Sequence, residues 1–331
     1  MPRRVPGPRR ARARPASAKG VPSVRPTALA APQRKRLRRV LIATDFSRSA
    51  KAALERAALL PLNPKASIGL LHVLPEATRI GGREATRAQG RLEEAHRGLL
   101  RWLRQAQLPG VRVHPDTACG PPFLEIIRRA RGMKAELIVV GRRGRGIARL
   151  SLGSTAERVV RKAGIPVLVV GPPPRAPYRL PLLALEAAPE SRAIAEMAGR
   201  LLPPSATAIT VLHAYEVPFE GYAAIGGASE GSIRRGRKAA AERAKAALAE
   251  SAKTLAESGV EPKVMLRHGD PRLVILETLH RLRSDLVAVG THGRTGITHF
   301  LLGSVAQEVV RSAKSDVLVV RTAGVVVLPP R

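Results

Sequence analysis

Aromatic residues make up only 2% of this 331-residue chain, and cysteine occurs once, at Cys119. A single cysteine closes no internal disulfide, and no Cys/His cluster has the spacing of a zinc site, so neither staple is expected. Neither is needed, because the length suggests about two domains, each able to bury roughly 70% of the surface its unfolded chain exposes. No stretch reaches the eighteen or so continuous apolar residues of a spanning helix, and the N-terminus lacks the apolar centre of a secretory signal. A cytoplasmic location with no transmembrane segment is expected. Scarce aromatics also deny a stacking platform for exposed bases. The Gly-x4-Gly-Lys-Ser/Thr loop of the common ATPases is missing, as are a Gly-x-Ser-x-Gly elbow, a paired-carboxylate site and a Cys/His nucleophile pair.

Acid is scarce too. The 57 Lys and Arg outnumber 25 Asp and Glu, for a net charge of +32. Clustered cations release counterions when they meet phosphates, which raises nucleic acid as a partner. About a third of the excess is local: residues 1–36 hold eleven Lys or Arg and no acid. That segment has several prolines and almost no apolar periodicity, so it cannot offset its ordering entropy and reads as a disordered basic tail. A solvated tail, a nucleic-acid or acidic-partner arm, an Arg-rich targeting segment and the trace of a start codon placed too early all stay open. The remaining excess is spread as Arg along helical stretches.

What is present is a repeat. Residues 135–170, AELIVVGRRGRGIARLSLGSTAERVVRKAGIPVLVV, and 284–320, SDLVAVGTHGRTGITHFLLGSVAQEVVRSAKSDVLVV, are one unit written twice. Gly141 matches Gly290 at an offset of 149 and Gly153 matches Gly303 at 150, so the first copy is one residue shorter between them. Upstream the offset is 141, pairing His72 with His213 and Asp45 with Glu186; the second copy is longer around residues 216–237. The boundaries follow: tail 1–36, first domain 37–171, linker 172–177, second domain 178–322 and C-terminal tail 323–331. The Val-rich run at 325–328 is read equally as an edge strand or a loose tail.

Each copy alternates short β-branched runs with longer helical stretches, the pattern of βαβ units around a parallel sheet. In the first copy the expected strands are 40–44, 67–73, 111–117, 137–140 and 167–170, with helices near 49–60, 83–107, 122–131 and 154–163. The second copy repeats this from 182 to 320, with strands near 208–213, 263–267, 286–289 and 317–320. The fold class is therefore α/β, two doubly wound parallel five-stranded sheets in tandem.

Ligands of such sheets bind beyond the carboxyl ends of the strands, where the strand order reverses. Two loops per copy lie there. After the first strand come Thr44, Asp45, Phe46 and Ser47, without the glycines of a dinucleotide fingerprint. After the fourth come Gly141, Arg142, Arg143 and Gly144, then eight residues, then Gly153, Ser154 and Thr155. The second copy has Gly290, Thr291, His292 and Gly293, then nine residues, then Gly303, Ser304 and Val305. The glycines permit close approach by a phosphate, and each Gly-Ser opens a helix whose N–H groups attract an anion. Both serines also read as capping boxes with Glu157 and Gln307. The arginines at 142, 143, 145 and 149 either neutralise a polyphosphate or belong to a solvated loop, and His292 either touches phosphate or idles at the surface. His72 and His213 read as satisfied structural histidines at strand ends.

The Gly-x2-Gly-x9-Gly-Ser spacing, the ATDFS segment, the LLHV and VLHA strand ends and the PVLVV and DVLVV runs together resemble the ATP-binding universal stress proteins. The likeness covers about nine-tenths of the chain. It implies ATP, with Mg2+, as ligand: the ribose on Asp45 or Glu186 beside Thr44, and adenine against the second-strand ends at Val73 or Ala214, with Val140 and Val289 also among the site residues. The phosphates would lie in the loops of Gly141, Arg143, Gly144, Gly153, Ser154 and Thr155, or of Gly290, His292, Gly293, Gly303, Ser304 and Val305. It also implies an internal pseudo-dimer made by the fifth strands of the two copies; a further homodimer and slow ATP hydrolysis stay open, a protein partner is unidentified, and no dedicated catalysis is expected. The intact loop spacing tips the expectation slightly toward the second copy as the better site, although Glu186 stands there in place of aspartate. A nucleotide-free scaffold is the alternative, as is a nucleic-acid-associated protein acting through the basic tail.

Overall fold

A computed structural model describes residues 35–75, 90, 93–94, 96–101, 112–144, 152–186, 188, 190–203, 205–206, 208–216, 229–257, 259–291 and 302–321. The basic tail up to residue 34, the segment from 322 onward, and the loop residues 145–151 and 292–301 lie outside these. His292 and Gly293 are thus outside the described residues.

Ten strands form one sheet in the order β3-β2-β1-β4-β5-β10-β9-β6-β7-β8. In the first half these are β1 (Leu37–Thr44), β2 (Leu62–Leu74), β3 (Arg112–Cys119), β4 (Leu137–Gly141) and β5 (Val167–Val170). The second half supplies β6 (Pro181–Ala184), β7 (Ala208–Tyr215), β8 (Glu261–His268), β9 (Leu286–Gly290) and β10 (Asp316–Val320). Each half reads 3-2-1-4-5 and is parallel throughout, so its switch point lies between the first and fourth strands. The halves meet where β5 and β10 pair antiparallel, with Leu168 opposite Leu318. The expected internal pseudo-dimer is this junction.

The central strands are valine and leucine runs buried on both faces, as covered parallel sheets require. Alternation sorts them between two cores. Leu168, Val170, Leu318 and Val320 join one, while Val167, Val169, Val317 and Val319 join the other, so both cores run through the junction without a break. The described helices are α1 (Arg48–Ala58), α2 (Pro122–Gly132), α3 (Ser154–Lys162), α4 (Ser191–Leu201), α5 (Glu230–Glu257), α6 (Pro271–Leu282) and α7 (Ser304–Ser312). Residues 96–101 are also helical, in line with the helix expected over 83–107. Strand β2 begins five residues before the expected start, because Leu37 pairs with Leu62 ahead of a register shift in a stretch without β-branched residues.

Side chains tie the halves together asymmetrically. The Asp316 carboxylate accepts from Arg56 Nε at 2.7 Å, from the Tyr178 hydroxyl at 2.8 Å and from the Gly171 amide at 2.9 Å. Arg56 also stacks over the Tyr178 ring, 4.1 Å from its centroid. Burial pushes the Asp316 carboxyl above its ordinary value, and Arg56, Gly171 and Tyr178 oppose that shift. By the repeat, Met197 occupies the place of Arg56 and Pro166 the place of Asp316. The lock therefore exists on one side of the junction only.

Candidate functional site

Thr44 ends β1 next to β4, at the switch point of the first half. Its side-chain oxygen accepts the Phe46 amide at 3.0 Å, and Asp45 Oδ1 accepts the Ser47 amide at 3.0 Å. Ser47 then caps α1, its hydroxyl oxygen accepting the Ala50 amide at 3.1 Å. These bonds carry the chain through a left-handed turn at Phe46, φ 61°, an unusual conformation for a bulky residue. The Phe46 ring packs against His72 with centroids 4.5 Å apart. His72 Nδ1 lies 2.8 Å from the Thr44 carbonyl oxygen, and His213 Nδ1 lies 2.8 Å from that of Leu185. A carbonyl only accepts, so both Nδ1 atoms carry the proton. These are structural histidines at strand ends, as expected.

Gly141 lies at the end of β4, and its missing side chain has a reason other than phosphate approach. A Cβ there would sit 2.6 Å from the Ser49 carbonyl carbon and 2.9 Å from the Ala50 amide nitrogen. The glycine lets the start of α1 press against the end of β4. Two serines complete this contact: the Ser49 hydroxyl oxygen accepts the Arg143 amide at 3.2 Å, and the Ser47 hydroxyl donates to the Arg143 carbonyl at 3.4 Å. The first loop is thereby clamped to the glycine loop, with Arg143 exposed and Gly144 half-buried beside it. Ser47 was expected only as part of the loop after the first strand and Ser49 not at all; their signal was the N-cap position of Ser47 at the start of a helical run. Ala188 and Glu190 take their places in the second half, so the two hydroxyls of the clamp have no counterpart there.

The base of the glycine loop is the same in both halves. Arg142 donates its amide to the Val170 carbonyl and accepts the Gly153 amide on its own carbonyl, each at 2.9 Å. Thr291 does the same with Val320, at 3.1 Å, and Gly303, at 2.7 Å. The one-residue difference in spacing thus falls between two matching anchors. Gly153 and Gly303 use their amides in this closure and serve as N-caps of α3 and α7. Ser154 and Ser304 are first helical residues rather than caps, so the expected capping boxes do not form. Both serines are exposed. The first-turn amides of each helix, from Ser154 and Thr155 or from Ser304 and Val305, have no partner within the helix and no capping side chain.

One expected phosphate ligand is committed elsewhere. The Arg142 guanidinium is buried and crosses the junction, donating to the carbonyl oxygens of Val310 at 3.1 Å, Ser315 at 2.7 Å and Ala313. It caps the carboxyl end of α7, where a cation is favoured. Burial lowers its pKa from the ordinary value, with the Asp316 charge opposing. The buried Thr291 stands in its place in the second half.

The remaining expected residues frame the same ends. Val73, Val140 and Val289 are buried, and Ala214, Gly290 and Glu186 are half-buried. Glu186 accepts the Ser191 hydroxyl on its carbonyl at 2.7 Å. The second half also carries rings at the ends of β7 and β8: His213 stacks on Tyr215 at 6.5 Å, and His268 meets Tyr215 edge-on at 5.6 Å. Leu74 and Cys119 stand opposite each other at the same place in the first half. Among the described residues no helix is long and apolar enough to cross a membrane, and no group of three His, Cys, Asp or Glu is placed to hold a metal ion.

Known proteins share this fold. A universal stress protein of Mycolicibacterium smegmatis is 28% identical over 296 residues, 85% of this chain and 96% of its own. One from Methanocaldococcus jannaschii is 43% identical over 82 residues, 24% of this chain; the match spans only 48% of that relative's length. The crystal structure of a universal stress protein from Archaeoglobus fulgidus superposes with a TM-score of 0.63 at 19% identity, covering 86% of this chain and 98% of that one. The Universal stress protein family matches residues 36–171 and 178–321, the two halves of the sheet in turn, and with both halves accounted for the chain belongs to that family as a tandem member.

Proposed function

We propose that this chain is an ATP-binding regulatory module whose nucleotide occupancy alters the surface presented to a protein partner, without dedicated catalysis. The reading is supported above all by two helix starts, at Ser154 and Ser304, each capped by glycine and set beside a switch point on a loop closed by the same pair of bonds. Glycine at the cap leaves first-turn amides open to an anion, and the helix dipole favours negative charge there. In the first half these amides and the exposed Arg143 would hold the phosphates with Gly144, Asp45 and Thr44 would meet the ribose, and Val73 and Val140 would lie nearest the base. In the second half the counterparts are Glu186, Gly290, His292, Gly293, Ser304 and Val305, with Ala214 and Val289 toward the base. Mg2+ would arrive with the triphosphate as its counter-ion.

The serine clamp makes the first half the stronger site in this reading, in place of the second. A hydrogen bond to a charged carboxylate contributes about 1.5–3 kcal/mol, so Asp45→Ala should weaken ATP binding roughly 10- to 100-fold at that site. Glu186→Ala should weaken a second, lower-affinity site. Equilibrium dialysis with labelled ATP separates the two, and unchanged binding in both variants would remove the proposed ribose contacts.

A further inference from the structure

Helix α5 has 28 residues, whereas the strands flanking it, β7 and β8, have eight each. At 1.5 Å per residue the helix spans about 42 Å, and at ~3.3 Å per residue each strand spans about 26 Å. Because β7 and β8 are parallel, the helix between them runs back from their carboxyl ends, so its surplus of about 16 Å projects past the end of the sheet where the candidate site lies. Burial agrees. Residues 230–243 contain no fully buried side chain, and full burial begins at Ala244, continuing through Leu248, Ser251, Thr254 and Leu255.

Charge divides at the same point. The projecting part carries Arg234, Arg235, Arg237, Lys238 and Arg243 against Glu230 and Glu242. The packed part carries Lys245 and Lys253 against Glu250 and Glu257, and so balances. Arg234, Arg235 and Lys238 are all exposed. Arg234 and Lys238 stand one turn apart, a like-charge spacing that destabilises a helix on its own. Arg235 reaches back to the Ser232 hydroxyl at 2.9 Å, and Arg243 to the Ala239 carbonyl at 3.3 Å. A helix segment that buries no side chain fully and repels itself is a local conflict of the kind found where a ligand compensates.

We infer that the projecting half of α5 is a binding arm for the phosphate backbone of duplex nucleic acid. An α-helix about 10–12 Å across fits the major groove, and exposed Arg and Lys on its turns meet phosphates. The arm has no aromatic residue on which single-stranded bases would stack. Its one large apolar side chain, Ile233, is half-buried, so it lacks the apolar face that inserts into a membrane surface. The contacts are to phosphate and therefore independent of base sequence.

The full-length chain, a fluorescently labelled 20-base-pair DNA duplex and an anisotropy titration between 50 and 200 mM salt test the arm. The triple variant Arg234→Gln, Arg235→Gln, Lys238→Gln retains helix-favouring residues, and circular dichroism checks that the helix persists. Each lost phosphate contact lowers the slope of log affinity against log salt by about 0.9, so the triple variant should lose about 3 from the slope. A control with the same charge change on exposed strand positions, Lys65→Gln, Arg112→Gln, Lys263→Gln, should keep the wild-type slope. The inference fails if the two triple variants shift the slope equally, which would assign binding to bulk charge, or if the arm variant binds as the wild type does. It fails also if polyglutamate or phosphatidylserine vesicles, at equal charge, displace the duplex from the wild-type arm.

Discussion

At Gly141 the missing side chain is what holds the candidate site together. An alanine Cβ would meet the Ser49 and Ala50 backbone inside 3.0 Å, and backbone cannot rotate away as a side-chain tip can. Gly141→Ala should therefore push α1 from the end of β4, at a cost of about 1–3 kcal/mol, typical of overpacking. A lower urea midpoint with unchanged slope reads that cost. Gly132 is the comparison, since a Cβ there meets nothing within 4 Å, and its alanine variant should be as stable as the wild type or slightly more so. Both glycine motifs stand out in the sequence, yet the reason for Gly141 does not, because it depends on a helix 90 residues earlier in the chain. Arg142 teaches the same lesson. Its place in a glycine loop suggested phosphate, whereas its side chain caps a helix in the other half.

Among the elements, each half pins the start of its first strand to a carboxylate just before its fourth. Glu136 Oε2 accepts the amides of Arg38, at 2.6 Å, and Arg39, at 3.1 Å, while Asp285 accepts those of Arg179, at 2.7 Å, and Leu180, at 3.1 Å. Glu136 also pairs with Arg200 on α4, a contact between the halves. Burial alone would raise the Glu136 carboxyl, but the two amides and Arg200 outweigh it and hold the group below its ordinary value. A depressed carboxyl stabilises the fold above its unfolded pKa of about 4.3, and that contribution is lost as pH falls through the lower folded value. Glu136→Gln should thus be less stable than the wild type at neutral pH, the gap narrowing below about pH 4 in denaturant titrations. Strand and helix identities were legible from the alternation of short β-branched runs with longer helical stretches. The early start of β2 was not, since its first residues pair through backbone bonds with no side-chain pattern to announce them.

For the molecule as a whole, the tandem arrangement was legible in the repeat, and the pairing of β5 with β10 followed from the family resemblance. The one-sided lock was not. Arg56 and Asp316 are 260 residues apart, and the repeat itself implies symmetry where the structure has none. Asp316 is 1% exposed, so Asp316→Ala would strand a buried Arg56 and should cost about 3–5 kcal/mol, whereas replacing both members, Arg56→Met with Asp316→Leu, should recover much of that loss. Thermal unfolding of the three proteins checks the comparison. The glycine-capped helix starts at the switch points are the proposed ATP cradles. Isothermal titration of the full-length chain with Mg2+-ATP tests this most directly: saturable binding at no more than two equivalents per chain is predicted, and no saturable binding at millimolar ATP would contradict it.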